Sequence, residues 1–319
     1  MTDIPPLTID FLKNIAKNRE ITIHDVLSLL TIITADSRIS NNDFVRMSGL
    51  PKEHVGRILK DFSLLLEPPS PFIIVKQSAH DSIKNFLSEY PIEQNEDLRS
   101  KVTQQVEEIA QARPAPLREY DQFLATKETM IKRALHLYSE GELLYRNILF
   151  LGDDDHTSLV ASSIGRNVSV TVLDIDHRML ESIEVSSQKH NYHIKTILHD
   201  LRKPLPENML NSFDVVFTDP PYTSSGIALF LNRGIQALRK IPTSRLYFCY
   251  GNSDRARERE LKIQSIVTEK GLLVREKLHH FNGYIGAESI GSVSSLYRCD
   301  LTPQTRSDNV TAEKIYTNS

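Results

Sequence analysis

NILFLGDDDHTSL, residues 147–159, is an apolar run that breaks at one glycine into three aspartates. A short, continuous apolar run bounded by a turn signal reads as a strand buried on both faces. A glycine directly after it suits the first turn of a nucleotide-binding α/β domain, where bare backbone approaches a ligand. Such turns usually greet a phosphate or carboxylate. Here Asp153, Asp154 and Asp155 would repel either one, so the turn calls for a cation.

Further strand-like runs follow at 168–174, 194–198, 213–218 and 245–250, with late pieces near 272–281 and 294–301. Helical spacers separate most of them, the pattern of a parallel sheet covered on both faces. The reading is a Rossmann-like, methyltransferase-type, mostly parallel α/β domain over residues 116–300. Before it, residues 1–90 read as a small winged-helix-like domain. A buried-type helix at 21–34 precedes two helices joined by a turn containing Gly49, and the strand-like PFIIVKQ (71–77) follows. A polar helical connector fills 91–115, ended by Pro114 and Pro116. The polar stretch 301–319 is expected to be a mobile tail.

Composition narrows the function. The 319 residues carry a net charge of −3, but residues 151–225 hold eleven acidic against six basic side chains, a local balance of −5. Residues 1–90 hold ten basic and eleven acidic residues, and Lys52, Glu53, Arg57 and Lys60 mix signs where a recognition helix would lie. Phosphate affinity needs clustered cations, so a folding, docking or dimerisation role rather than nucleic-acid binding is expected of that domain. Cys249 and Cys299 have no CxxC spacing, and no apolar run reaches membrane-spanning length. A cytoplasmic protein without a membrane partner is expected.

In an open parallel sheet the ligand crevice lies at the carboxyl ends of the strands. Acids recur there: the triple aspartate, Asp174, Asp200 and Asp219. Asp174, 22 residues after Gly152, suits ribose hydroxyls, and Asp200 suits an adenine amine. Asp176 reads as a helix cap. The fourth strand ends in TDPPYTSSG. Pro220 and Pro221 stiffen that turn and remove two donors, leaving carbonyls and Asp219 to accept from an amine beside Tyr222. Amino-group methyltransferases share this arrangement. The carboxylate of S-adenosylmethionine, however, would meet the triple aspartate at a cost on the order of 4 kcal/mol per pair at 4 Å. Decarboxylated S-adenosylmethionine ends in an ammonium instead, which favours aminopropyl transfer. Consecutive side chains of a turn diverge, so one or two of the three aspartates reach a common ligand. His156 is placed at the start of the next helix, and no metal is expected.

The blocks REYDQFLATKET, LGDDDHTSL, VLDIDHR, DLRKPLP and FDVVFTDPPYTSSGIALFLNRGIQAL together resemble the branched-chain polyamine synthases, the N(4)-bis(aminopropyl)spermidine synthases. The resemblance implies aminopropyl transfer to the secondary amine of spermidine, an acidic cavity, a catalytic aspartate within Gly152–Asp155 and a homodimer. Decarboxylated S-adenosylmethionine is then a co-substrate, with no permanently bound cofactor.

The residue roles follow. Asp155 is expected to accept the proton and Asp219 to orient the amine, or the reverse. Gly152, Asp153, Asp174 and Asp200 face the donor. Asp154, Pro220, Pro221, Tyr222 and Gln122 face the polyamine. Tyr120 and Glu128 join the pocket, with Tyr284 as a cover. Two alternatives stay open: an S-adenosylmethionine-dependent amino-methyltransferase and a polyamine-sensing DNA-binding regulator.

Overall fold

Helix caps and apolar spacing build two compact units, Met1–Gln94 and Asn95–Ser319, in the computed structural model, which describes residues 7–251, 257–287, 291–308, 312 and 314–317. In the first unit, α1 (Ile9–Arg19) starts at Thr8, whose hydroxyl accepts from the Phe11 amide. α2 (Ile23–Ala35) starts in a reciprocal capping box between Thr22 and Asp25. It buries Val26, Leu27, Leu29, Leu30 and Ile33, the run read from sequence as a buried helix. β1 (Ile39–Ser40) leads into α3 (Asn41–Ser48), Gly49 turns the chain at φ 64°, and α4 (Lys52–Asp61) follows. β2 (Phe72–Ile73) pairs antiparallel with β1, and α5 (Gln77–Glu89) ends the unit. The strand expected over 71–77 is only two residues long, because residues 74–76 pair with the segment at 65–67 instead. On α4, Glu53 and Arg57 form an exposed ion pair one turn apart.

The second unit begins with α6 (Glu96–Ala112), N-capped by Asn95. The sequence reading made this stretch a connector; the structure makes it part of the core. Val102, Val106 and Ile109 recur at helical spacing and are buried with Ile148, Phe150 and Leu159. One apolar stripe is enough to dock an otherwise polar helix. α6 packs on α7 (Lys127–Ser139) and α8 (Thr157–Ile164).

The sheet contains β3 (Asn147–Leu151), β4 (Ser169–Asp174), β5 (Ile194–Leu198), β6 (Val215–Thr218), β7 (Arg245–Gly251), β8 (Leu272–Gly283) and β9 (Val293–Leu301) in the order β5-β4-β3-β6-β7-β9-β8. The first five strands run parallel, and β9 is antiparallel to both β7 and β8. α9 (His177–His190), α10 (Ser224–Ala237) and α11 (Arg257–Glu269) complete the layers. Ile148 and Phe150 enter one core while Leu149 and Leu151 enter the other, so β3 is covered on both faces. This is the Rossmann-like, mostly parallel sheet that the apolar runs called for.

Chain order reverses at β3, which lies between β4 and β6. Crossovers leaving in opposite directions open a crevice at the carboxyl ends of those strands. The segment expected as a tail returns to this end. Ile315 is buried in the second core, and its carbonyl accepts from the Thr223 hydroxyl at 2.7 Å. No helix among the described residues is long and apolar enough to cross a membrane.

Candidate active site

Gly152 follows β3 in the left-handed region, at φ 73°, and its amide donates to the Leu173 carbonyl at 2.8 Å. A side chain there would be strained. The turn it starts lines a cavity of about 640 Å³ at the carboxyl ends of β3, β4, β6 and β7. Five aspartates (121, 153, 154, 174 and 219) and two arginines (118 and 259) line that cavity, among the described residues. It is an acidic pocket with aromatic walls, including Tyr120, Tyr222, Tyr250, Tyr284 and Tyr316.

The three turn aspartates diverge. Asp153 accepts from the Thr157 amide at 2.9 Å and the Ser158 amide at 3.1 Å, capping α8. Burial outweighs those bonds and pushes its carboxyl up to about 8. Its own amide donates to Asp174 Oδ2 at 3.0 Å. Asp174 Oδ1 accepts from the Asp176 amide at 2.9 Å, so Asp174 ties the ends of β3 and β4 together while facing the cavity. Asp154 is only partly buried, lines the cavity and makes no hydrogen bond or ion pair among the described residues. Its carboxyl is raised well above the usual range, by burial first and then by Asp155, Asp219, Asp174 and Asp153.

Asp155, expected to accept the proton, does not line the cavity. One of its oxygens accepts from the Ala125 amide and the other from Arg133 Nη1 at 2.6 Å, with Arg113 at 4.0 Å. Held this way behind the cavity wall, the carboxylate is not presented to an incoming amine. Asp219 does reach the cavity. Its Oδ2 accepts from Arg133 Nη2 at 2.6 Å and from the Tyr284 hydroxyl at 2.7 Å, and its Oδ1 from Tyr222 at 3.1 Å. Pro220 and Pro221 also line the wall.

Two further expectations change. Asp200 lies outside the lining, and both its oxygens accept from Arg202 Nε at 2.9 Å. The neighbouring residues His199 and Leu201 face the cavity instead. Gln122 lines the wall, but its amide is committed: Oε1 accepts from the Leu117 amide at 2.7 Å, and Nε2 donates to Asp176 at 3.2 Å. Asp176 caps α9, as read. Tyr120 and Tyr284 line the cavity, whereas Glu128 is exposed and paired with Arg99 at 3.1 Å. His156 sits at the start of α8, and burial first and Arg113 second lower its ring to about 3. Outside the cavity, His136, Glu140 and Glu276 bring ligand-type atoms within 4.8 Å of one another, with Glu140 also paired to Arg298.

Sequence reasoning missed Arg133, buried to 1% exposure under the turn. Its signal was visible. Met130, Arg133, Ala134 and Leu137 recur at helical spacing, so an arginine interrupts the buried stripe of α7. Burial alone would lower its proton affinity, but Cys249, Tyr284, Asp219 and Asp155 together raise it well above the usual value. It stays a cation. The C-terminal contribution to the wall was missed as well: Ile315, Tyr316 and Thr317 line the cavity, and the Thr317 amide donates to Asp121 at 2.6 Å.

The model of the branched-chain polyamine synthase A C-terminal domain matches residues 101–319. An uncharacterised protein of Methanocaldococcus jannaschii is 42% identical over 209 residues, 65% of this chain and 52% of that protein. The N(4)-bis(aminopropyl)spermidine synthase of Thermococcus kodakarensis is 35% identical over 191 residues, 59% of this chain and 54% of the other. The matched stretch thus spans about half the length of the curated relatives. A crystal structure of the branched-chain polyamine synthase of Thermus thermophilus, in complex with N4-aminopropylspermidine and 5′-methylthioadenosine, superposes with a TM-score of 0.60 over 97% of each chain at 21% identity. At that identity the likeness is one of fold.

Proposed function

This chain belongs to the branched-chain polyamine synthase family, and from that premise we propose that it transfers aminopropyl groups from decarboxylated S-adenosylmethionine to the secondary amine of spermidine. Asp154 carries the reading. Burial and the neighbouring aspartates raise this carboxyl, an ammonium beside it restores the carboxylate form and a second carboxylate would raise it further, so the turn favours a donor that ends in an ammonium. The acidic lining then suits the remaining ammonium groups of a polyamine, and the tyrosines supply apolar faces for its methylenes.

The reaction is a displacement. The amine lone pair forms a bond to the methylene beside sulfur, the carbon–sulfur bond breaks, and the sulfonium takes the electron pair to leave as neutral methylthioadenosine. The secondary nitrogen must give up its extra proton before it can attack, and a carboxylate takes it. We assign that step to Asp154, because Asp155 lies outside the cavity lining. Asp219 presents Oδ1, shared with Tyr222, to the nitrogen. Gly152 and Asp174 serve the donor, with Asp153 holding their turn. Asp200 supports that side through its turn rather than by direct contact. In a second addition the tertiary amine has no proton to lose after attack, so positioning and field govern it.

The reading extends to a homodimer, on the family resemblance, and to a cytoplasmic location, which suits two buried free cysteines. The first unit is read as a winged-helix-like docking module. Incubation with spermidine and decarboxylated S-adenosylmethionine, followed by mass spectrometry, tests the proposal. Gains of one or two aminopropyl units with release of methylthioadenosine are expected. Methyl gains from the intact donor would support the amino-methyltransferase instead.

A further inference from the structure

Arg133 is a fully buried cation that the transfer scheme leaves without a role. Burying a guanidinium is costly unless its nitrogens find partners, and here each of the three does. Nε donates to Asn282 Oδ1 at 2.8 Å, Nη1 to Asp155 at 2.6 Å, and Nη2 to Asp219 at 2.6 Å and Tyr284 Oη at 3.1 Å. Asn282 is held in turn: its Nδ2 donates to Ser294 Oγ at 2.8 Å. The local sheet aims it. From Leu278 to Asn282 the β8 strand spends four residues against two on β9, Leu296 to Ser294, a bulge that turns Asn282 inward.

The consequence lies at Asp219. Arg133 and Tyr284 saturate Oδ2, so the carboxylate cannot rotate, and Oδ1 is the oxygen turned to Tyr222 and the cavity. The charge of Arg133 is balanced by Asp155 on its other arm, so it does not oppose a polycationic substrate from below. Lysine, a single point donor, could not bridge this set. We propose that Arg133 is a positioning residue of the transfer reaction, holding Asp219 and Tyr284 where the attacking amine docks. This rests on the aminopropyl-transfer reading.

The test is Arg133→Lys in the full chain, read in two ways. Spermidine kcat/KM should fall on the order of 100-fold, the effect of a small misplacement of a docking group. Methylthioadenosine affinity, a binding measurement made without turnover, should stay within about threefold because the donor-side residues Gly152 and Asp174 make no bond to Arg133. Arg133→Lys and Tyr284→Phe should also be non-additive, since one acts through the other. Equal losses of donor affinity and turnover, or additive effects, would reduce Arg133 to a structural ion pair. Kinetics like those of the unsubstituted protein would overturn the inference outright. Should Arg133→Lys not fold, Asn282→Ala frees Nε while leaving both ion pairs, and the same split of smaller size is expected. Inactive unsubstituted protein would overturn the parent reading and this inference together; active protein with an equally active variant overturns this one alone.

Discussion

Three successive aspartates leave one turn toward three different partners, and charge alone does not say which goes where. Asp153 finds the amides at the start of α8, Asp155 finds Arg133, and Asp154 is left facing the cavity. Asp154→Asn should therefore cut turnover by roughly 100-fold or more while the melting temperature near neutral pH holds or rises, since the raised carboxyl it removes costs stability there, in steady-state kinetics beside a thermal melt. Asp155→Asn should do the opposite first. It removes one counter-charge from a buried arginine and should cost about 3 kcal/mol of stability, measured by denaturant unfolding. Asp153 gives a pH signature. Its folded carboxyl is raised from 3.8 to about 8, so the native state holds the proton more tightly, and stability contributed at low pH is lost as pH rises through about 8. Asp153→Asn should flatten that decline in a melting-temperature series from pH 5 to 9, at a cost of about 1 kcal/mol at the acid end for the weakened cap. The acidic character of the turn was legible in the sequence, and so was the divergence of its side chains. Their assignment was not, because it depends on an arginine some twenty positions upstream that only the fold brings under the turn.

Among the elements, the strands were the most legible. Apolar runs at 147–151 and 168–174 cover β3 and β4, both almost wholly buried, and the late pieces became the antiparallel β8 and β9. Strands buried on both faces leave little ambiguity in sequence. Pairing direction is harder to read, since an antiparallel edge uses the same residues as a parallel one. The turn after β6 shows how an element's start shapes the site. Gly226 lies in the first turn of α10, and a Cβ there would stand 2.7 Å from the Pro221 carbonyl and 3.0 Å from that of Ile315. Both are backbone atoms and cannot swing away. Gly226→Ala should destabilise the protein by about 1–3 kcal/mol through overpacking. It should also raise the KM for spermidine, because the shifted turn carries Tyr222; parallel melts and kinetics would check both. An unchanged KM would separate that turn from the polyamine site.

At the scale of the whole molecule, the cavity belongs to one unit. Every described lining residue lies at or beyond Arg118, and α6 supplies part of the same core. A fragment from residue 95 onward should therefore fold and bind methylthioadenosine by calorimetry as the full chain does, whereas one cut at residue 116 should lose α6 and unfold. The sequence reading placed that boundary too late because α6 is mostly polar, and it set the C-terminal stretch aside for the same reason. A few apolar side chains, Val106 and Ile315 among them, decide both cases. The central claim is that an acidic turn selects a donor lacking a carboxylate. Its most direct test is the ratio of kcat/KM for decarboxylated over intact S-adenosylmethionine with spermidine as acceptor. The account predicts a ratio on the order of 100 or more, about 3 kcal/mol, that shrinks in Asp154→Asn. A ratio near one, or methyl transfer from the intact donor, would contradict it.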